Sequence, residues 1–168
     1  MKRVALFVVL GVVALFAAAT DRLYMEDFTI QAGETVEVSL ILQNATQYTA
    51  FQTDLYLPEG LSIEKEDGDY AFELTSRKSR DHFIASHDMP DGAIRIMSYS
   101  MNVNPFSGND GALVTFNITA CDTFTEDAII ELKNTLFTNM NDQELTFNDE
   151  TCNVAIKLKD LTGEIIIS

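Results

Sequence analysis

Carboxylates are the commonest chemistry-bearing side chains in this sequence, with 26 Asp and Glu against 11 Lys and Arg in 168 residues. At that density close pairs arise by chance, so only their spacing carries information. Glu64, Glu66, Asp67 and Asp69 gather around Gly68, and hard oxygen ligands on a glycine-containing loop are what calcium takes. The group lacks the spacing and the terminal glutamate of the helical calcium loop, so a solvated turn is the plainer reading. Asn102, Asn104, Asn109 and Asp110 form a second oxygen-rich loop with the same two readings. Calcium stays open at both loops, and neither is assigned as a metal site. Glycoside hydrolysis needs two carboxylates flanking a sugar-sized cleft, and no pair here is marked out for it.

The nucleophiles and bases offer less. His82 and His87 stand five residues apart around a short apolar stretch, which puts them on opposite faces of a strand. No Cys/His spacing of a zinc site occurs. There is no Gly-x-Ser-x-Gly phrase and no phosphate-cradling glycine loop, and Ser107-Gly108 reads as a loop dipeptide. The expectation is a chain that is not an enzyme.

Aromatic side chains remain, 11 Phe and 5 Tyr with no Trp. Phe51, Phe116 and Phe147 fall in phase with core positions. Tyr56 falls in phase with Gln52 and Asp54 on a polar face. Tyr99 falls in phase with Arg95 and Met97, opposite Ile94 and Ile96. If the two strands are neighbours, Gln52, Asp54, Tyr56, Arg95, Met97 and Tyr99 form a flat binding surface. Ordinary half-exposed tyrosines are the alternative.

The elements that position these residues follow a period of two. Alternation predicts strands over 23–30, 36–42, 50–57, 93–99, 112–120, 128–133, 145–147, 152–158 and 164–167. Turn chemistry separates them at Ala32-Gly33, Pro58-Glu-Gly60, Asp67-Gly-Asp69, Pro90-Asp-Gly92, Gly108-Asn-Asp-Gly111 and Asn139-Met-Asn-Asp142. The locally basic stretch 74–81, with Arg77, Lys78 and Arg80, reads as a loop or short turn. Nine or ten short strands with frequent turns make an all-β fold, an antiparallel two-sheet β-sandwich. Its core is expected to include Phe51, Leu55, Ile94, Ile96, Val114 and Phe116.

The N-terminus has the layout of a secretory signal peptide: Lys2 and Arg3, an apolar run from Val4 to Phe16, then Ala17-Ala-Ala19. Removing residues 1–19 takes the formal charge from −15 to −17, since two cations leave with it. One mature domain over 21–168 is then expected, secreted or held in the periplasm or cell envelope, with no membrane insertion after cleavage. Such acidity repels nucleic acid and anionic membranes. Export into an oxidising compartment permits a disulfide between Cys121 and Cys152, 31 residues apart, worth about 3–4 kcal/mol in the chain-entropy model. Strand phase leaves that bridge open, because Cys152 is in step with the core and Cys121 is not.

Five phrases, taken in order, resemble a cohesin domain, of the sandwich superfamily that also holds certain carbohydrate-binding modules. These are Glu34-Thr-Val-Glu-Val-Ser-Leu-Ile-Leu-Gln-Asn44, the strand and Leu-Pro-x-Gly-Leu corner over 50–61, the Asp-Gly-x-Ile-Arg phrase over 91–99, the Gly-x-Leu-x-x-Phe-x-Ile phrase over 111–119, and Ala128-Ile-Ile-Glu-Leu132. The segment Tyr48 to Pro58 is especially similar to cohesin-like proteins exported by anaerobic gut-type bacteria. The resemblance implies a nine-stranded jelly roll of immunoglobulin-like topology and a non-catalytic role. Cohesins bind dockerin modules through one sheet face, which carries over to Gln52, Asp54, Tyr56, Arg95, Met97 and Tyr99. It implies a dockerin-bearing or cell-surface protein as partner. A polysaccharide is the alternative partner, and an envelope structural protein the third reading. The chain departs from scaffold proteins in reading as a lone module, with no linker and no dockerin of its own.

Overall fold

The computed structural model describes residues 21–157. The signal-peptide reading of residues 1–19, the strand expected over 164–167 and the end of the one over 152–158 lie outside the described residues.

Two sheets pack face to face. The smaller contains β1 (Arg22–Tyr24), β3 (Thr35–Gln43), β11 (Ala112–Ala120) and β5 (Leu61–Ile63) in that order, with β8 (Glu73–Leu74) also on β11. The larger runs β2 (Phe28–Ile30), β14 (Glu150–Ile156), β12 (Ala128–Asn139), β4 (Tyr48–Tyr56), β10 (Ile94–Ser100), β9 (His82–Asp88), with β13 (Glu144–Thr146) also on β12. A small hairpin, β6 (Lys65–Glu66) and β7 (Asp69–Tyr70), stands apart. There is no helix among the described residues. The strands number fourteen rather than about nine, because seven long ones are supplemented by pieces of two or three residues.

One expected strand proves to be two. Leu23 and Met25 point inward at odd positions, while the inward residue of β2 is Ile30, at an even one. The parity change at Glu26-Asp27 carries the chain from one sheet to the other. Asp27 fixes the crossing by accepting Asn153 N at 2.7 Å and Asn153 Nδ2 at 3.0 Å. The resulting β2–β14 pair is parallel, the one exception to an otherwise antiparallel ladder.

Between the sheets the inward residues of the long strands interdigitate. Phe51, Leu55, Ile94, Ile96, Val114 and Phe116 are all buried, as alternation predicts. Phe137 is the aromatic hub, 4.4 Å from Phe147, 4.9 Å from Tyr48 and 5.5 Å from Phe51 by ring centroids. Burying a phenyl ring contributes roughly 1.5–3 kcal/mol. Thr53 and Thr135 enter this core as a mutually hydrogen-bonded pair at 2.7 Å, so neither hydroxyl is stranded.

The basic loop after β8 holds the least expected core residue. Arg77 is buried, and its guanidinium donates to the carbonyls of Leu42 at 2.6 Å, Ser107 at 2.7 Å and Gly111 at 2.9 Å, and to Asn44 Oδ1 at 2.8 Å. It thereby pins the β10–β11 connection to the end of β3. Burial pushes its pKa down, yet guanidinium stays charged at any working pH. Composition marked the segment as basic, and position alone makes this arginine structural.

Of the two readings left open for the cysteines, the structure shows the one with two thiols. Cys121 and Cys152 are both free thiols, the first exposed and the second buried. The phases read from sequence hold: Cys152 sits inward on β14, and its Sγ donates to Glu26 O at 3.2 Å, while Cys121 points away from the core just past β11. No bridge joins them. Burial pushes the Cys152 thiol up to about 12, so it behaves as a small hydrophobe.

Candidate functional site

The strand phases expected to face outward converge on the large sheet. β4 lies between β10 and β12, with Arg95 opposite Asp54, Met97 opposite Gln52, Tyr99 opposite Ala50 and Glu131 opposite Tyr56. All six candidate side chains therefore rise from one face. His82 and His87 fall on opposite sides of β9, His82 buried against Phe106 and His87 exposed.

Asp54 differs from the other five. Its phase is outward, but it is only 1% exposed. Arg95 lies over it in a bidentate pair, Nε to Oδ1 at 2.6 Å and Nη2 to Oδ2 at 2.7 Å. Asn134 Nδ2 donates to the same carboxylate at 2.9 Å. These donors, Arg95 foremost, hold the Asp54 carboxyl below the usual range despite its burial. Asp54 is thus a positioning residue that fixes Arg95, and cannot touch a partner directly.

Next to the pair lies a second polar group. Tyr56 Oη donates to Asp91 Oδ2 at 2.7 Å, which raises the phenol's pKa. Lys133 Nζ stands 5.1 Å above the Tyr56 ring and 2.9 Å from Glu131. Lys65 meets Asp88 at 3.5 Å, but from the inward phase of β9, off this face. Two of the four ion pairs among the described residues, Arg95–Asp54 and Lys133–Glu131, belong to this face. In a chain of net charge −15 these pairs neutralise the face locally.

The opposite end of the face is apolar. Tyr99 is 48% exposed and its cross-strand neighbour Phe83 is 55% exposed. Their rings lie 6.0 Å apart and tilted by 36°. Phe83, Glu131, Lys133 and Asn134 escaped the sequence reading. The phase of Glu131 and Lys133 was visible, but nothing local says that β12 lies beside β4. Phe83 precedes Ile84, so two adjacent apolar residues hid which one faces out. Asn134 takes a left-handed φ of 52°, at a bulge in β12 that turns its amide onto Asp54.

Neither oxygen-rich loop assembles a metal cage. Asp67 and Gly68 form the tight turn of the β6–β7 hairpin, at φ 51° and 97°. Asn102 and Asn104 donate to Asp81, whereas Asn109 serves Asn44 through its carbonyl. Among the described residues, no three His, Cys, Asp or Glu side chains converge.

Solved structures with this arrangement share little sequence with the chain. A non-cellulosomal cohesin from the hyperthermophilic archaeon Archaeoglobus fulgidus superposes with a TM-score of 0.67 at 14% identity, over 84% of this chain and 94% of that one. The fold is that of the cohesins. A cohesin module from a Clostridium perfringens family 33 glycoside hydrolase gives 0.62 at 18% identity, over 81% and 94%. A type I cohesin of Clostridium thermocellum, solved as a cohesin–dockerin complex, gives 0.60 at 12%, over 84% and 100%. No protein-family model and no curated relative matches the sequence. The likeness is thus one of architecture: the cohesin fold arises here from its own set of core residues. No helix among the described residues is long and apolar enough to cross a membrane.

Proposed function

We propose that this chain is an exported, non-catalytic binding module that holds a protein partner against the outer face of its large sheet. The observation that carries this reading is the make-up of that face on a cohesin fold. An aromatic and thioether end, Phe83, Tyr99 and Met97, adjoins a compensated polar end, Arg95–Asp54 and Lys133–Glu131. Apolar anchors within a neutralised rim are what protein interfaces use. A cohesin of similar fold was solved with a dockerin bound, which makes a dockerin-bearing protein the first partner to try and a cell-surface protein the next.

The adjacent Phe83 and Tyr99 favour a second reading, a carbohydrate-binding module that stacks sugar rings on them. Their 36° tilt is unfavourable for a single flat platform, so the protein reading is preferred. A panel of purified dockerin modules and a glycan array, probed with the same protein, separates the two. We expect a dockerin to bind saturably, and Met97→Glu to weaken it by about 1–3 kcal/mol. Dockerin binding that survives Met97→Glu would remove the face assignment. Saturable glycan binding lost with Tyr99→Ala would establish the second reading instead.

A further inference from the structure

Four residues among the described ones have a left-handed backbone without being glycine: Asp67, Val103, Asn134 and Asp142. Asp and Asn tolerate that region, but a β-branched valine at φ 58° is an outlier. Such a conformation persists only where the surroundings over-determine it. Here Asp81 does so. Its carboxylate takes five donors: Ser79 Oγ at 2.5 Å, Ser100 Oγ at 2.6 Å, Asn102 N at 2.8 Å, and the Nδ2 groups of Asn102 and Asn104 at 3.1 Å each. Asn104 N also donates to Ser100 Oγ at 2.8 Å.

What the clamped turn presents is apolar and wet. Met101 is 65% exposed and Val103 54%. Together with Phe83 and Tyr99 they make four of the six exposed large hydrophobics among the described residues. Phe83 pairs with Tyr99 across the strands, and Met101 and Val103 follow Tyr99 along the chain. The turn rests on the loop 77–81 through Ser107 N to Arg77 O at 2.7 Å and Met101 N to Asp81 O at 3.4 Å. That loop carries Lys78 and Arg80, both exposed, and among the described residues neither meets a carboxylate at ion-pair distance. In a chain of net charge −15, these are exposed cations on the loop against which the apolar turn rests.

We propose that the docking surface continues past the end of the sheet onto this turn. There Met101 and Val103, flanked by Lys78 and Arg80, receive a partner segment that sets carboxylates beside apolar side chains. The inference rests on the protein-binding reading of the sheet face. The rest of the acidic surface repels such a segment and the two cations attract it, so charge sets both the place and the orientation of docking. The pinned turn adds affinity by presenting its apolar groups already ordered.

A random peptide library selected on the whole mature protein tests this, with the winning peptides then titrated against three variants of unchanged far-UV spectrum. Winners rich in Asp and Glu beside Leu and Phe are expected. Lys78→Glu/Arg80→Glu should weaken them at least about tenfold and flatten their salt dependence. Met101→Ser/Val103→Asn should weaken them about as much, and so should Met97→Glu on the sheet. If Met97→Glu abolishes binding while both turn variants bind like the wild type, the face stands and its continuation is overturned. If the turn variants lose binding and Met97→Glu does not, the reading of the sheet face fails, and the continuity proposed here fails with it. Winners that are basic or uncharged, or no winners, overturn the proposal.

Discussion

The outer faces of the two sheets obey the same alternation and present opposite surfaces. The middle of the small sheet shows Thr35, Glu37 and Ser39 opposite Thr119, Asn117 and Thr115. Of these polar side chains, Thr35 and Thr119 hydrogen-bond to each other. The sheet's large outward groups, Arg22 stacked on Tyr24, stand on the edge strand. The large sheet shows Phe83, Tyr99, Met97, Arg95 and Tyr56, long side chains organised into ion pairs and a ring pair. Period-two polarity tells inside from outside and says nothing about which outside does work. The size and pairing of the outward residues make that distinction. A solvated face needs only to be polar, whereas a docking face must hold large groups in fixed positions.

The sharpest way to break this contrast is Asp54→Ala. It removes the carboxylate under Arg95 and also strands the Asn134 amide. We expect a loss of about 2–3 kcal/mol, less than for a wholly buried pair because Arg95 reaches water. Chemical denaturation would measure it. The pH dependence gives a second readout. Arg95 holds the folded-state pKa of Asp54 below its unfolded value. Its contribution is therefore fully present above about pH 4 and is lost as pH falls through the folded pKa. The variant should accordingly show a shallower acid limb than the wild type. An unchanged limb would mean that Asp54 is not the carboxylate that couples the face to pH.

A smaller effect is expected at the end of the working face, where strain is stored. Val103→Asn keeps the left-handed turn with a residue that tolerates it, and the Asp81 clamp is untouched. Relief of an unfavourable φ should stabilise the protein by about 1 kcal/mol, seen as a rise in melting temperature. A drop would show that the valine side chain is held by packing. The small sheet offers no counterpart, since among the described residues none of its strands carries a non-glycine residue at positive φ.

How much of this was legible depends on whether the signal is local. Phe51, Leu55, Ile96 and Phe116 declare themselves through alternation, and the turns through Gly, Pro and Asp. The cohesin fold follows from the order of such phrases. The phase of Gln52, Tyr56, Arg95, Met97 and Tyr99 was equally local. That Asp54 is covered was not, because the cover comes from Arg95 on the neighbouring strand and from Asn134, 80 residues away, at a bulge that no turn dipeptide marks. Arg77 was hidden for the same reason. Its acceptors are carbonyls of Leu42, Ser107 and Gly111, and carbonyls leave no trace in residue types. The sheet jump at Glu26-Asp27 could have been found, since the inward parity changes there.

The smallest expected effect lies on the solvated face. Thr35 and Thr119 join their hydroxyls at 2.8 Å across the exposed side of the β3–β11 pair. Inside the protein, Thr53 and Thr135 make the same contact at 2.7 Å. There an abandoned hydroxyl would face hydrocarbon, whereas on the outer face water takes the vacated position. Thr119→Val should therefore change stability by less than about 0.5 kcal/mol, with the β-branched shape retained for the strand. It should leave partner affinity unaltered, since Thr119 stands on the other sheet from Met97, Arg95 and Tyr99. Denaturant titration and the same binding assay used for Met97→Glu would measure both. A loss of affinity with Thr119→Val would show that the small, hydroxyl-lined sheet also meets the partner, and the division of labour between the two faces would have to be abandoned.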